Sequence, residues 1–369
     1  MKEQVENSGI CLTMIVKNES AIIERCLNST LESISEFVIV DTGSTDDTIE
    51  KITRFMKKAG KKGQVISREW KNFAHNRNEA VALAKELSNA KYILTIDADD
   101  QMKGKINHRD LKHSAYYITS KHGGLEYRIN RLFKRDLKVE YIGYTHEYLS
   151  VGSVEMGTID TDSAYYLMGS DSSRRVSGQK YLDDIALLQQ ELAVSPDCAR
   201  SQFYLAQSYK DSGQTPEAIE HYLKRASMGG WFEEVYISYL RVARLYLNQN
   251  DINKAKQFFQ LAIDTCPQRA EAQYDLSCIY TNSGDYNAAY ELLEKYTDID
   301  RSKFLLFLES SIYEYGLMDQ YALSCYYTGR YTQSIKVWKE ILKGANLDSN
   351  THKRITNNLI FAIDKVFVS

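Results

Sequence analysis

The residues with the clearest chemical potential are carboxylates that follow short apolar runs. Phe37 to Val40 (FVIV) leads into Asp41-Thr42-Gly43-Ser44, and Tyr92 to Ile96 (YILTI) leads into Asp97-Ala98-Asp99-Asp100. A carboxylate at the end of a buried strand costs folding energy unless it has a partner. Asp also opens turns and caps helices. For Asp46 and Asp47, in what reads as the first turn of a helix, the helix dipole accounts for both. Asp97 and Asp99 are less easily explained that way. Alternate residues around a tight strand end can aim both side chains at one hard cation, which takes several oxygen ligands and accepts phosphates as the rest. A bare D-x-D is common by chance; one at a strand end, with a second acidic turn well upstream, is less so. Six cysteines (Cys11, Cys26, Cys198, Cys266, Cys278, Cys325) show no C-x-x-C spacing, which points to buried thiols rather than a disulfide framework or a zinc site.

Aiming side chains in this way needs strands that end at one edge, and the sequence supplies candidates. Ile10 to Val16 (ICLTMIV), FVIV, Gln64 to Ser67 and YILTI suit strands buried on both faces, as in a parallel sheet. Amphipathic helices are expected between them. The first uses Ile22, Ile23, Cys26, Leu27 and Leu31; the second Ile49, Ile52, Phe55 and Met56; the third Ala80, Val81, Ala84 and Leu87. Ser44 followed three residues later by Asp47 resembles a capping box at the start of the second, which ends near Gly60. The alternation predicts a doubly wound α/β domain, in which ligands bind beyond the carboxyl ends of the strands near the switch in strand order. Ala115 to Thr119, Tyr127 to Phe133 and Val139 to Ile142 read as short, partly antiparallel strands.

Gly169 to Lys180 (GSDSSRRVSGQK) is polar and Ser/Gly-rich, and reads as a linker or loop. Beyond it the strand signal vanishes and a repeat begins. Aligning YLAQSY at 204, RVARLY at 241 and DLSCIY at 275 puts Ala206, Ala243 and Ser277 in one column and Tyr209, Tyr246 and Tyr280 in another. Further columns hold Gly213, Asn250 and Gly284, then Ala218, Ala255 and Ala289, then Tyr222, Phe259 and Leu293. A fourth unit runs from Ala322 through Gly329, Ser334 and Trp338. The spacing is close to the ~34-residue tetratricopeptide period. Small residues let paired helices approach, a Gly or Asn closes the turn, and aromatics fill the space between pairs. The surplus of 27 Tyr is therefore mostly packing.

Composition narrows the function classes. At ~150 residues per domain, 369 residues suggest two domains. Lys+Arg 46 against Asp+Glu 49 gives a net charge of -3, which argues against a nucleic-acid backbone as partner. Mean hydropathy is -0.43, and no apolar run approaches the ~20 residues of a membrane helix. Met1 to Asn7 is polar and lacks a signal-peptide core, which points to the cytosol.

KNES after the first strand, VDTGSTDDT after the second, WKNFAHNRNEA before the third helix, and LTIDADD together resemble the signature of family 2 glycosyltransferases of the GT-A fold. RINRLFKRD followed by GYTHEYL resembles the region that closes their active site. FYLAQSY with YLKRASMGGWFEEVYIS is similar to bacterial and viral transferases that carry C-terminal tetratricopeptide repeats, so the resemblance covers nearly the whole chain. It implies a Rossmann-like α/β GT-A domain (nucleotide-diphospho-sugar transferase) over 1–170, a linker and first helix over 171–197, and an all-α tetratricopeptide-repeat solenoid over 198–369.

Carried over residue by residue, the resemblance implies that Asp41 and Thr42 line the nucleoside pocket and that Arg77, with Asn78, lies near the nucleotide. Asp97 would approach the ribose, and Asp99 would hold Mn²⁺ or Mg²⁺ against the two phosphates, a Lewis-acid role. An inverting transfer also needs a general base opposite the leaving group. Glu147 follows the Gly143 turn where the family places that group, and Asp100 is the second choice. His146 is then a third metal ligand or a contact to the donor phosphates; read as an ordinary residue, it is a buried imidazole. Arg174 and Arg175 either belong to a solvated linker or fold over the phosphates of the bound donor.

The implied function is a metal-dependent inverting transfer of a sugar from a nucleotide sugar, UDP-linked as in most of the family, to a protein or peptide acceptor presented by the repeats. Transferases acting on Cys or Ser side chains of secreted peptides have a related domain plan. Two alternatives stand beside it. One is a glycan or polysaccharide acceptor, with the repeats mediating homo-oligomerisation or docking. The other is an inactive transferase-like scaffold. A nucleotidyltransferase is disfavoured because VKNES lacks the Gly-rich loop that would meet a triphosphate.

Overall fold

The computed structural model describes residues 8–169, 171, 180–296 and 299–368. Arg174 and Arg175 lie outside the described residues, as does most of the expected linker.

The first four strands are β1 (Ile10–Val16), β2 (Glu36–Asp41), β3 (Lys62–Ser67) and β4 (Tyr92–Thr95). They alternate with helices α1 (Ile23–Thr30), α2 (Thr48–Lys58) and α3 (Phe73–Leu87). β1 pairs in parallel with both β2 and β4, and β2 with β3. The order β3-β2-β1-β4 places the switch of direction between β1 and β4. Period-two geometry explains why both faces of these strands are apolar. Leu12, Met14, Ile39 and Leu94 pack in one core with Ile23, Leu27, Ile52 and Met56 of α1 and α2. Their neighbours Cys11, Val38 and Ile93 pack in a second core with Val81 and Ala84 of α3.

Beyond β4 the sheet becomes mixed, with both antiparallel and parallel pairs. The later strands are β5 (Gln101–Gly104), β6 (Ala115–His122), β7 (Leu125–Lys134), β10 (Met156–Thr158) and β11 (Ala164–Leu167). The sheet continues from β4 as β7-β6-β11-β5, with β10 beside β6. β8 (Glu140–Ile142) and β9 (Tyr148–Ser150) form a separate ribbon. The short strands β5, β9, β10 and β11 were not read from the sequence, because each has only three or four residues and too little apolar alternation to stand out.

From Lys180 on, the described chain is almost entirely helical. It divides into two compact units, one up to Gly213 and one from Gln214. Two helices, α4 (Lys180–Val194) and α5 (Ala199–Asp211), belong to the first unit and pack on each other. The second unit carries α6 (Thr215–Ser227), α7 (Phe232–Asn248), α8 (Ile252–Thr265), α9 (Glu271–Asn282), α10 (Tyr286–Leu293), α11 (Leu317–Tyr327), α12 (Tyr331–Gly344) and α13 (Ser349–Val368).

The repeat columns are realised in the backbone. Gly213, Asn250, Gly284 and Gly329 all take left-handed φ, between 62° and 81°, each in the turn after a helix. Ala206, Ala243, Ser277 and Ala322 are completely buried, as are Ala218, Ala255, Ala289 and Ser334. No helix among the described residues is long and apolar enough to cross a membrane.

Candidate active site

The turn after β2 is built by its own side chains. Asp41 is 2% exposed, and its Oδ2 accepts the amides of Gly43 and Ser44, both at 3.0 Å. That is the ordinary turn-capping use of an Asp. Its Oδ1 is buried too, yet has no hydrogen-bond partner among the described residues. Thr42 spends its hydroxyl on the Val16 carbonyl, 3.1 Å away. The facing loop is tied to this turn through Asn18, in left-handed conformation (φ 56°), whose Oδ1 accepts the Thr45 amide at 2.7 Å. Asp46 caps this region through Thr48 and the Ser20 amide.

The turn after β4 is pinned through its backbone. The Cys26 thiol donates to the Asp97 carbonyl, and Arg25 Nη2 donates to the Asp99 carbonyl at 3.1 Å while its guanidinium pairs with Asp171. Gly169 lies so close that a Cβ there would stand 2.0 Å from the Asp99 carbonyl oxygen. These holds leave the carboxylates to be set by charge. Asp97 Oδ1 meets Arg77 Nη2 at 2.6 Å, and its Oδ2 meets Arg131 Nη2 at 2.8 Å. Burial opposes ionisation of Asp97, but Arg131 and Arg77 hold its carboxyl well below the usual range. Arg77 also binds Glu147 Oε1 through Nε, so one guanidinium joins Asp97 to Glu147. The side chains of Arg77 and Glu147 are only 11% and 10% exposed, where such pairs are strong and geometrically specific.

α3 presents Arg77 because its start is firmly fixed. Asn72 caps it, accepting the His75 amide at 2.8 Å. The completely buried Asn76 accepts the Lys71 amide and donates to the Glu69 carbonyl, closing the preceding loop. Asn78, expected near the nucleotide, has both ends of its amide committed to the Tyr141 backbone, at 2.7 and 2.9 Å. It anchors β8, and the chain from β8 runs on to Glu147.

Asp99 is 9% exposed, and its carboxylate accepts no hydrogen bond among the described residues. Asp100 is nearly fully buried. Burial pushes its carboxyl up to about 7, followed by the charges of Asp97 and Asp99, with Arg131 opposing them. Asp100 Oδ1 accepts the Gly169 amide at 3.1 Å, and Oδ2 is unpartnered among the described residues.

The structure therefore brings Arg77, Asp97 and Glu147 together directly, and sets Asp41, Asp99 and Asp100 at the carboxyl ends of β2 and β4. It does not bring His146 to Asp99. The imidazole stacks on Tyr204 (centroids 4.2 Å apart, planes at 7°) and lies 3.6 Å from Asp184. No three His, Cys, Asp or Glu side chains converge as a metal shell among the described residues. Arg131 was missed in the sequence because a lone Arg within RINRLFKRD looks like one more basic residue. Its 13% side-chain exposure and its pairing with Asp97 are properties of the folded β7.

Residues 11–105 match the family model for Glycosyl transferase family 2, and residues 236–269 and 270–303 match the tetratricopeptide repeat. The chain is similar to the SPbeta prophage-derived glycosyltransferase SunS of Bacillus subtilis strain 168, 27% identical over 238 residues, which cover 61% of this chain and 54% of that protein. It is also similar to an uncharacterized glycosyltransferase of Rickettsia felis, 23% identical over 236 residues, which cover 60% of this chain and 77% of that protein. The crystal structure of MamA aligns with 46% of this chain and 91% of its own, at 20% identity and a TM-score of 0.35. The chain spans about half the length of the SunS glycosyltransferases it matches. It carries a Glycosyl transferase family 2 domain at its N-terminal end, followed by tetratricopeptide repeats.

Proposed function

We propose that the chain is an inverting glycosyltransferase that moves a sugar from a nucleotide sugar, a UDP-sugar by preference, to a protein or peptide acceptor. The observation that carries this reading is the shared ion pair at the strand-switch edge. Arg77 links Asp97, beside the unbonded Asp99 carboxylate, to Glu147 on a separate loop. Such a pairing sets an acidic donor-side group and a candidate base at fixed separation.

In this reading Asp41 Oδ1, buried with an empty acceptor site, receives an N–H of the nucleoside base. Arg77 and Arg131 fix Asp97 toward the ribose. Asp99 fits a divalent cation, being a hard oxygen donor left unbonded among the described residues, whereas both oxygens of Asp97 are already paired. A bound Mn²⁺ or Mg²⁺ would supply charge neutralisation for the departing diphosphate. Glu147 Oε1 is held by Arg77, which leaves Oε2 to take the proton of the acceptor nucleophile. The new bond forms at the anomeric carbon as the bond to the diphosphate oxygen breaks, and the proton ends on Glu147. Stacked helix pairs offer the extended surface that a peptide acceptor needs. Six unpaired cysteines fit work in a reducing compartment such as the cytosol.

The test is metal-dependent release of nucleoside diphosphate from a panel of nucleotide sugars, together with calorimetric binding of UDP and Mn²⁺. Turnover of at least one donor is expected. No turnover combined with no UDP binding would sink the enzyme reading.

A further inference from the structure

Between Gly143 and Tyr148 the loop carrying Glu147 is held mainly by helices rather than by the sheet. Asp184 of α4 is completely buried, and its Oδ1 accepts the Thr145 hydroxyl at 2.9 Å while Oδ2 lies 3.6 Å from His146 Nε2. Glu191 of α4 accepts the Tyr144 amide at 3.4 Å. From α5, Arg200 donates Nε and Nη2 to the single carbonyl oxygen of His146, at 3.2 and 3.0 Å. The same guanidinium sits 4.8 Å from the ring centres of both Tyr148 and Tyr204, bracketing the dipeptide. Tyr204 stacks face to face on His146.

What these contacts hold is a backbone that resists being held. His146 has φ 51°, in the left-handed region that few residues other than Gly enter, His, Asn and Asp more often than the rest. Such a residue persists only where its surroundings over-determine it, and it fixes the direction in which the next side chain leaves the chain. That next side chain is Glu147, whose Oε1 reaches Arg77.

We propose that Asp184, Arg200 and Tyr204 are positioning residues: by clamping His146 in its left-handed conformation, the first helical pair aims Glu147 at the reacting centre. The inference rests on the reading of Glu147 as base. It assigns α4 and α5 to the catalytic machinery, and His146 to the backbone geometry of the base rather than to a cation.

The test uses the full-length chain with Arg200→Ala, Tyr204→Ala and Tyr204→Phe. Without any ligand, hydrogen exchange at the amides of 143–149 should speed up at least about tenfold in both alanine variants, as local opening becomes easier. Exchange in β1, β2 and α3 should stay as in the wild type, and Tyr204→Phe, which keeps the stacked ring but loses the hydroxyl 3.5 Å from Arg200 Nη2, should speed exchange over 143–149 clearly less than either alanine variant. With Mn²⁺ and UDP-glucose or UDP-N-acetylglucosamine, UDP release should fall about 100-fold in kcat at unchanged donor KM in the alanine variants, and should fall clearly less in Tyr204→Phe. Unchanged exchange over 143–149, or unchanged kcat, overturns the proposal. So does a rise in KM with kcat kept, which would make the helices part of the donor pocket. Failure of the wild type to bind UDP or release it from any donor counts against the transferase reading, and the exchange measurement then still decides the clamp. Should an alanine variant fail to fold, Arg200→Lys keeps the charge, loses the two-nitrogen hold on one carbonyl, and carries the same readouts.

Discussion

Arg77 joins two carboxylates, Asp97 and Glu147, to which the proposed transfer gives different roles, and single side chains around it can be separated by experiment. Asp99→Ala should remove the metal-dependent part of UDP binding in calorimetry, because it deletes the one carboxylate of the turn that the described residues leave unbonded. Glu147→Gln should keep UDP affinity within about threefold while transfer falls at least ~100-fold, the usual scale of a general base. Transfer retained in that variant would move the base to Asp100. Gly169→Ala should weaken UDP binding and lower Tm together, since its Cβ would enter the Asp99 carbonyl at 2.0 Å and displace the whole turn. Much of this was legible in the sequence. Acidic residues after apolar runs announce themselves by type and place, as Asp41, Asp97 and Asp99 do. The partners of those acids were not legible. Arg131, Asn78 and His146 owe their roles to which way a strand or loop turns them, and one basic, amide or imidazole side chain gives no hint of that in a string of letters.

Among elements, the parallel half of the sheet was readable because burial on both faces leaves long apolar runs. β1 spans the expected Ile10–Val16, and β2, β3 and β4 differ from expectation by a residue or two at their ends. The helical repeats were readable from spacing, and the Asn at position 250 takes the same left-handed φ as the three glycines in its column. Invisible beforehand were the ionic ties inside the second unit. Arg269 is completely buried between Glu233 and Glu271, donating also to the Leu306 carbonyl at 2.8 Å and lying 4.7 Å from the Tyr236 ring centre. Although burial disfavours charge on Glu271, Arg269 holds its carboxyl below the ordinary value, and Tyr236 and Tyr313 donate to the same oxygen. Arg269→Ala would strand two buried carboxylates, and urea titration should show a loss of about 3–5 kcal/mol. A loss under about 1 kcal/mol would mean that water reaches the site.

At the scale of the whole molecule, all six cysteines are unpaired, and Cys11, Cys26, Cys266 and Cys325 are buried. Burial pushes the Cys11 thiol up to about 12 and Cys325 up to about 11. Burial pushes Cys278 up to about 11 as well, so a thiol reagent at pH 8 should modify Cys198 first in the native chain and all six after denaturation, with Tm indifferent to reductant. Net charge of -3 also means that the long-range field does little to attract a diphosphate; under the proposed function its capture would rest on the strand-end turns. The clamp formed by α4 and α5 bears on how such chains can be recombined. A chimera spliced at residue 170, ahead of α4, would exchange the grip on Glu147 along with the repeats and, under the proposed function, should come out inert even if well folded. A junction just after Gly213 keeps α4 and α5 with the strand-end turns, and under the proposed function exchanging the helical unit from Gln214 onward should change the acceptor while donor hydrolysis is kept.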